Sequence, residues 1–198
     1  YMNFTWTSKQ AKTLGITFYT DSKMNMLNLQ PKLEEFKNCL KQWQHRKLTL
    51  IGKVTVIKTF ALPKLIYPFT VLDNPPDKII KEIQIMIFKF LWDGKRDKIK
   101  RNTIINNYAE GGLRLTDIKS LITSVKACWV KRLLSNENNG QYKVIYENIL
   151  KPFGGNFVFE CNLNVEDIVK ICKTSTFLKD ILISWFTTVN SAKLDKKM

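Results

Sequence analysis

The sequence predicts a mainly α-helical protein that begins with a short β-strand or hairpin and ends with a further helical lobe. Two patterns lead to this fold class. Apolar side chains recur at helical spacing in several segments, which proline, glycine and asparagine separate from one another. Residues 14–19 instead alternate large apolar with small or polar side chains, as a strand does. With 198 residues, 44% of them hydrophobic, the chain is long enough to bury a core.

The first helix is predicted to begin near Pro31, because proline is favoured at the first helical position, and to end near residue 47. Four apolar side chains form a narrow stripe along it, namely Leu33, Phe36, Leu40 and Trp43. Glutamates lie in its first turn and basic residues at its end, and both placements fit the helix dipole.

A second helix is predicted over residues 49–62. Its core-facing stripe consists of Leu50, Val54, Ile57 and Ala61. Lys53 and Lys58 lie on either side of this stripe, and the opposite face carries small, uncharged residues: Gly52, Thr55 and Thr59. Such a helix could approach a nucleic-acid backbone closely while its lysines reach phosphates. The same pattern also fits an ordinary amphipathic helix with an unremarkable solvent face.

The next helix is predicted over residues 77–92, after an apolar stretch at 65–72 and a proline-rich break at 73–76. It is apolar on most faces, so we expect it to be deeply buried, and Gly94 ends it. A basic run follows, with Asp97 as its one acidic residue: Lys95, Arg96, Lys98, Lys100 and Arg101. This run fits a solvated loop, a phosphate-binding loop or a nuclear-localisation signal.

The remaining segments are predicted to be mostly helical. Short extended segments are expected at 103–108 and 113–115, around a turn at Gly111 and Gly112. A helix should begin at Thr116 or Asp117 and run to about Leu134. After an asparagine-rich linker at 136–140, shorter helices are expected at about 141–150, 164–173 and 176–188. The predicted divisions of the chain are therefore residues 1–20, 21–75, 76–135 and 136–198, the last with no role that the sequence indicates.

The charge distribution indicates a polyanionic partner. The chain has 32 Lys and Arg residues against 17 Asp and Glu, a net charge of +15. Residues 1–132 hold 24 basic and 10 acidic side chains, whereas residues 133–198 hold 8 and 7. A surface this basic suits nucleic acid or an acidic membrane, and the first two thirds of the chain should bind it. The basic residues do not share a face with a stripe of aromatic residues, which argues against a membrane.

Several protein classes are excluded by sequence patterns. No uncharged apolar run reaches the roughly 18 residues that a membrane-spanning helix needs, and no signal peptide is visible. The four cysteines are at least eleven positions apart, which fits neither a zinc motif nor a secreted disulfide framework. We therefore expect a nuclear or cytoplasmic protein, neither secreted nor in a membrane. Because the first residue is Tyr1, the sequence is expected to start inside a longer reading frame.

The sequence contains no recognisable catalytic site. Its one histidine, His45, lies in a basic stretch and is expected on a helix surface. The sequence has neither the paired aspartates that would hold two metal ions nor a glycine-rich phosphate loop. The prediction is therefore that this chain is not an enzyme by itself and holds no cofactor or metal.

Five short motifs, in a fixed order, resemble one protein family. They are Lys12-Thr13-Leu14-Gly15-Ile16, then Trp43 with the run 46–58 (RKLTLIGKVTVIK), then Leu62-Pro63-Lys64-Leu65-Ile66-Tyr67, then Phe90-Leu91-Trp92, and finally Gly111-Gly112-Leu113 with Thr116-Asp117. This order resembles the reverse transcriptases of non-LTR (LINE-type) retrotransposons, which are RNA-directed DNA polymerases of transposable elements. The resemblance covers about residues 9–135. It matches the stretch from the end of the palm, through the thumb, to the region beyond it.

The resemblance implies a thumb-like helical bundle that grips an RNA–DNA template–primer through phosphate contacts. On this basis residues 1–20 would end the palm, 21–75 form the thumb and 76–135 the post-thumb region. The implied partners are RNA, DNA or an RNA–DNA hybrid, and the palm and fingers that precede the thumb in the same polyprotein. The candidate nucleic-acid-binding residues are Arg46, Lys47, Gly52, Lys53, Lys58, Lys64, Lys95, Arg96, Lys98, Lys100 and Arg101.

The chain also departs from the family. The catalytic aromatic-x-Asp-Asp motif, which precedes the Lys-x-Leu-Gly-Ile strand in the family, is not in this sequence. Position 13 is threonine where the family usually has an aromatic residue, and the Cys/His cluster of many members is absent. Two alternatives therefore stay open: an inert genomic relic, and a stand-alone basic helical binding protein.

Overall fold

The structure, a computed structural model, describes residues 10–20, 22–135, 140–173 and 175–195. The described chain is mainly α-helical with a two-stranded hairpin near its N-terminus, as the sequence predicted. Its described residues form two compact units, with the division after Ile118. Most of the asparagine-rich linker, residues 136–139, and the first nine residues lie outside the described part.

The hairpin pairs strand β1 (Gln10–Thr13) with strand β2 (Ile16–Tyr19) in antiparallel register, Gln10 opposite Tyr19. Its turn is Leu14-Gly15, and both residues have positive φ angles, 49° and 82°. Two consecutive residues with positive φ are what a two-residue type I′ hairpin turn requires. Strand β2 therefore begins at Ile16, two residues later than the strand that the sequence predicted over residues 14–19.

Five helices of the first unit follow the hairpin. They are α1 (Leu29–Gln44), α2 (Leu50–Val56), α3 (Pro63–Val71), α4 (Asp77–Leu91) and α5 (Arg101–Ile105). Helix α1 packs against α3 and α4, and its Phe36 and Leu40 are buried as the stripe predicted. The apolar stretch after Pro63 is helix α3, with Pro63 in its first turn and Pro68 inside it.

A π-helical turn, Ile57–Ala61, joins α2 to α3, and Pro63 explains why it forms. Proline has no amide hydrogen, and its ring clashes with the carbonyl four residues earlier, which here belongs to Thr59. The helix widens instead of continuing, and the Leu62 amide donates to the Ile57 carbonyl at 2.9 Å, five residues back. Ile57 and Ala61 stay buried, but the wider turn leaves Phe60 51% exposed.

The extended segments expected at 103–108 and 113–115 are not strands. Residues 101–105 are helix α5, and Tyr108–Glu110 form a 3-10 turn that ends at Gly111, whose φ is 74°. The chain then folds back, so that the amides of Leu113 and Leu115 both donate to the Ile104 carbonyl. The chain therefore makes a tight reversal at this point instead of a pair of extended segments.

The second unit consists of helices α6 (Ile118–Leu134, whose first residue belongs to the first unit), α7 (Tyr142–Leu150), α8 (Val165–Ile171) and α9 (Thr176–Asp195). Two 3-10 turns, Lys151–Phe153 and Gly155–Phe159, lie between α7 and α8. Val130 and Leu133 of α6 are buried in one cluster with side chains of α7, α8 and α9. The division between the units therefore falls after the first residue of α6, within the predicted 76–135 segment rather than at residue 136.

The turn after α5 gives a matched pair of glycine substitutions. A Cβ added to Gly112 would lie 2.0 Å from the Asn106 carbonyl oxygen, whereas one on Gly111 would meet nothing within 4 Å. We expect Gly111→Ala to lower the free energy of unfolding by about 1 kcal/mol because of its positive φ. Gly112→Ala should lower it by about 3 kcal/mol or more, since backbone has to move. Urea unfolding compares the two, and equal stabilities would contradict this geometry.

Candidate nucleic-acid interface

Lys53, one of the predicted phosphate contacts, is buried rather than placed at the outer edge of its helix. Only 5% of the residue is exposed. Its Nζ donates to the Leu91 carbonyl oxygen at 3.1 Å and forms an ion pair with Asp93 Oδ1 at 2.6 Å. Its interpretation as a phosphate contact is therefore corrected, because its hydrogen bonds are made inside the protein.

The position of Lys53 follows from the end of α4. The last carbonyls of a helix have no partner within the helix, and a cation is favourable beside them. Lys53 supplies both a donor and a positive charge to Leu91. Asp93 and Gly94 then turn the chain with positive φ angles of 51° and 75°. Lys53 thus holds the turn from which the basic run 95–101 departs.

Lys58, the second lysine of this helix, is exposed. Its Nζ donates to the carbonyl oxygen of Arg114 at 3.1 Å. Arg114 is also exposed, has a positive φ of 53°, and lies with its guanidinium 5.4 Å from the Tyr108 ring centroid. The fold therefore brings a second cation beside Lys58. The sequence analysis did not find Arg114, because nothing in the pattern links positions 56 residues apart.

Gly52 lies in the first turn of α2, where its amide donates to the Thr49 side-chain oxygen at 3.2 Å. A Cβ added there would meet Thr49 Oγ1 at 3.4 Å and Leu48 Cβ at 3.7 Å, which are ordinary contacts. The internal packing therefore does not require glycine at this position. Close approach of an external backbone stays a prediction.

The basic run after α4 is fully on the surface. Lys95, Arg96, Lys98, Lys100 and Arg101 are all exposed. Arg101 differs from the others, because its Nε pairs with Asp97 Oδ2 at 2.8 Å and its guanidinium lies 4.5 Å from the Phe88 ring centroid. Asp97, the one acid of the run, is thus neutralised by Arg101. In the described part of the chain, no acidic side chain pairs with the other four.

Arg46 and Lys47 are exposed in the connection between α1 and α2. The guanidinium of Arg46 lies 4.3 Å from the ring centroid of Trp43, a cation–π contact. Lys64 is half-buried in the first turn of α3. Arg46, Lys47, Lys58 and the loop cations are thus exposed at the surface, as a phosphate contact requires. Lys53 is buried and no longer belongs to the candidate contacts.

A cluster that the sequence analysis missed lies between α1 and the π-helical turn. The rings of Trp43 and Phe60 stack with centroids 5.1 Å apart and planes 28° apart. We assigned Trp43 to the core stripe and did not single out Phe60. The sequence feature that could have indicated an exposed Phe60 is Pro63, because this proline forces the turn in which Phe60 lies.

The described residues contain no group of three His, Cys, Asp or Glu side chains close enough to hold a metal ion. Cys39 and Cys172 are buried thiols, and burial raises the pKa of Cys39 and raises that of Cys172 to about 11. Cys128 is exposed and Cys161 is half-exposed. Across the described helices, no single one is both long and apolar enough to cross a bilayer. The segment Leu50–Ala61 together with α3, bent by 45°, matches a broken span by length and composition alone.

Replacing Lys53 should destabilise the first unit. Lys53→Met keeps the aliphatic stem but leaves the Leu91 carbonyl without its donor, so we expect the free energy of unfolding to fall by about 1–3 kcal/mol. Lys58→Met, at an exposed position of the same helix, should change it by less than about 0.5 kcal/mol. Urea unfolding of both variants measures the difference. Equal stability of the two would mean that the buried contacts of Lys53 do not matter.

Thiol reactivity checks the burial of the cysteines. Alkylation requires an accessible sulfur, so Cys128 and Cys161, which are exposed and half-exposed, should react first in the native chain at about pH 8. Cys172 should resist until the pH approaches 11, because its pKa is raised in the folded state from the usual 9.0. Mass spectrometry after timed iodoacetamide treatment follows each site, and denatured protein is the control in which all four react alike. Rapid native labelling of Cys172 at pH 8 would contradict its burial.

The first unit thus carries exposed cations around α2 and after α4, with aromatic rings among them. No protein-family model matches the chain.

Proposed function

We propose that residues 1–118 bind the phosphate backbone of a nucleic acid, as the thumb and post-thumb region of a LINE-type reverse transcriptase would. The favoured ligand is an RNA–DNA hybrid held as template–primer. On this proposal the chain contributes binding and no chemistry. The unit has 20 basic and 10 acidic side chains, a net charge of +10, so it would attract any nucleic acid over a long range.

One observation carries the proposal: four cations of the run 95–100 are exposed, and its single acid is already neutralised. Lys95, Arg96, Lys98 and Lys100 therefore offer charge that nothing in the described protein offsets. Uncompensated surface cations repel one another, and a bound polyanion relieves that repulsion. The turn that starts this run is fixed by Lys53 and Asp93, so the run leaves the helix at a defined point.

The cations around α2 support the same ligand. Lys58 lies beside Arg114, and Arg46 and Lys47 lie just before the helix begins. Gly52, Thr55 and Thr59 have short side chains on the intervening face, beside the exposed Ile51, and both threonine hydroxyls bond back to the helix. An uncharged face with cations at its margins suits a sugar–phosphate backbone.

The salt dependence of binding tests the proposal. If about five cations contact phosphates, the slope of log affinity against log salt should lie near −4 to −5 for a duplex. Lys95→Gln with Lys98→Gln should make the slope shallower by about 2. The matched control replaces Lys151 and Lys173, two exposed lysines of the second unit, and should leave the slope unchanged. Fluorescence anisotropy with a blunt RNA–DNA hybrid and the full chain measures all three proteins.

A slope shallower than about −2 would contradict the proposal and favour an inert relic or another partner. Equal effects of the two double substitutions would show that charge alone, and not this surface, drives binding. Stronger co-sedimentation with acidic liposomes than binding to the hybrid would instead indicate a membrane-associated basic protein.

A further inference from the structure

The pocket beside the Trp43–Phe60 stack is the strongest feature that phosphate binding does not use. It has a volume of about 390 Å³ and lies between α1 and the start of α3. Its walls combine two aromatic rings, two amides and a cation, and its lining residues are Glu35, Asn38, Cys39, Gln42, Trp43, Phe60 and Lys64.

The open face of Phe60 is the first half of the argument. One face of its ring packs on Trp43, yet half of the residue stays in contact with water. The π-helical turn that exposes it has one residue more than an α-helical turn, and such turns occur frequently at functional sites. A ring fixed in this way offers a flat surface on which another ring can stack.

The polar side chains that line the pocket are the second half of the argument. Asn38 and Gln42 are four positions apart on α1, so their amides lie on the same side of the helix and can donate and accept hydrogen bonds. Lys64 also lines the pocket, and its positive charge partly offsets the rise in the pKa of Cys39 that burial causes. Glu35 pairs with Lys32 at 2.7 Å, which reduces its repulsion of an anion.

We propose that this pocket binds one unpaired nucleobase, which stacks on Phe60 while its phosphate lies on Lys64. A nucleotide in a nucleic acid combines a π-face, a hydrogen-bonding edge and an adjacent phosphate. An apolar peptide side chain would leave the amides and the lysine unused. The inference rests on the proposed function and specifies it: the chain favours a nucleic acid in which a duplex adjoins a single strand.

Three oligonucleotide ligands distinguish the contribution of the base to the affinity from the contribution of its phosphate. They are a blunt RNA–DNA hybrid, the same hybrid with a four-nucleotide single-stranded extension, and that hybrid with an abasic extension of equal charge. We expect the normal extension to bind about tenfold tighter than the abasic one, because stacking on an aromatic side chain is lost with the base. Anisotropy titrations of the full chain at fixed salt give the three affinities.

Substitutions locate the effect. Phe60→Ala and Phe60→Leu should both abolish the tenfold difference between normal and abasic extensions, whereas Phe60→Tyr should retain it. Phe60→Leu keeps much of the side-chain volume, so its result does not depend on whether the alanine variant folds well. Phe157→Ala is the control, since Phe157 is a 63% exposed phenylalanine of the second unit, and it should change nothing.

The outcomes separate this inference from the proposed function. If the normal and abasic extensions bind with equal affinity while the blunt hybrid keeps its steep salt slope, the base pocket is contradicted. Phosphate binding is then still supported. Loss of the preference in Phe157→Ala as well as Phe60→Ala overturns the location of the site. A shallow slope for the blunt hybrid counts against the proposed function itself, whatever the extension does.

Discussion

A lysine ammonium enclosed by helices needs both hydrogen-bond acceptors and a negative charge, and the end of α4 gives Lys53 both of them. The Leu91 carbonyl and the Asp93 carboxylate lie 3.1 Å and 2.6 Å from its Nζ. This contact joins α2 to the C-terminus of α4, and it fixes the turn that leads to the exposed cations. One buried charge therefore determines where the surface charges start, so that a structural residue shapes the candidate interface without being part of it.

Much of the fold could be predicted because its helices carry local patterns. The buried Phe36 and Leu40 of α1, and Val54, Ile57 and Ala61 around α2, lie where helical periodicity placed them. The role of Lys53 could not be predicted, because its ion-pair partner lies 40 residues away and a lysine beside an apolar stripe is usually solvated. The prediction of extended segments near Gly112 was wrong for a related reason. Their amides bond to Ile104 and Asn106 across a reversal that periodicity does not describe.

The candidate site was predicted in part. The exposure of Arg46, Lys47 and Lys58 and of the run after α4 agrees with the sequence analysis, which relied on local charge density. The aromatic pocket was missed, because Trp43 was expected to be core and the helical wheel gives Phe60 no special position. A wheel assumes 100° per residue, and that assumption fails in the wider turn before Pro63.

That wider turn amounts to one inserted residue that the helix absorbs without breaking. A chain that lost one residue from Ile57–Ala61, and that carried another residue in place of Pro63, could close the turn as a regular α-helix. Phe60 would rotate by about 100° about the helix axis and leave Trp43. Relatives of this chain could thus keep the same charge and fold and yet differ in the pocket through these two local changes. Comparing such chains calls for counting residues between Thr49 and Pro63, not only for matching their identities.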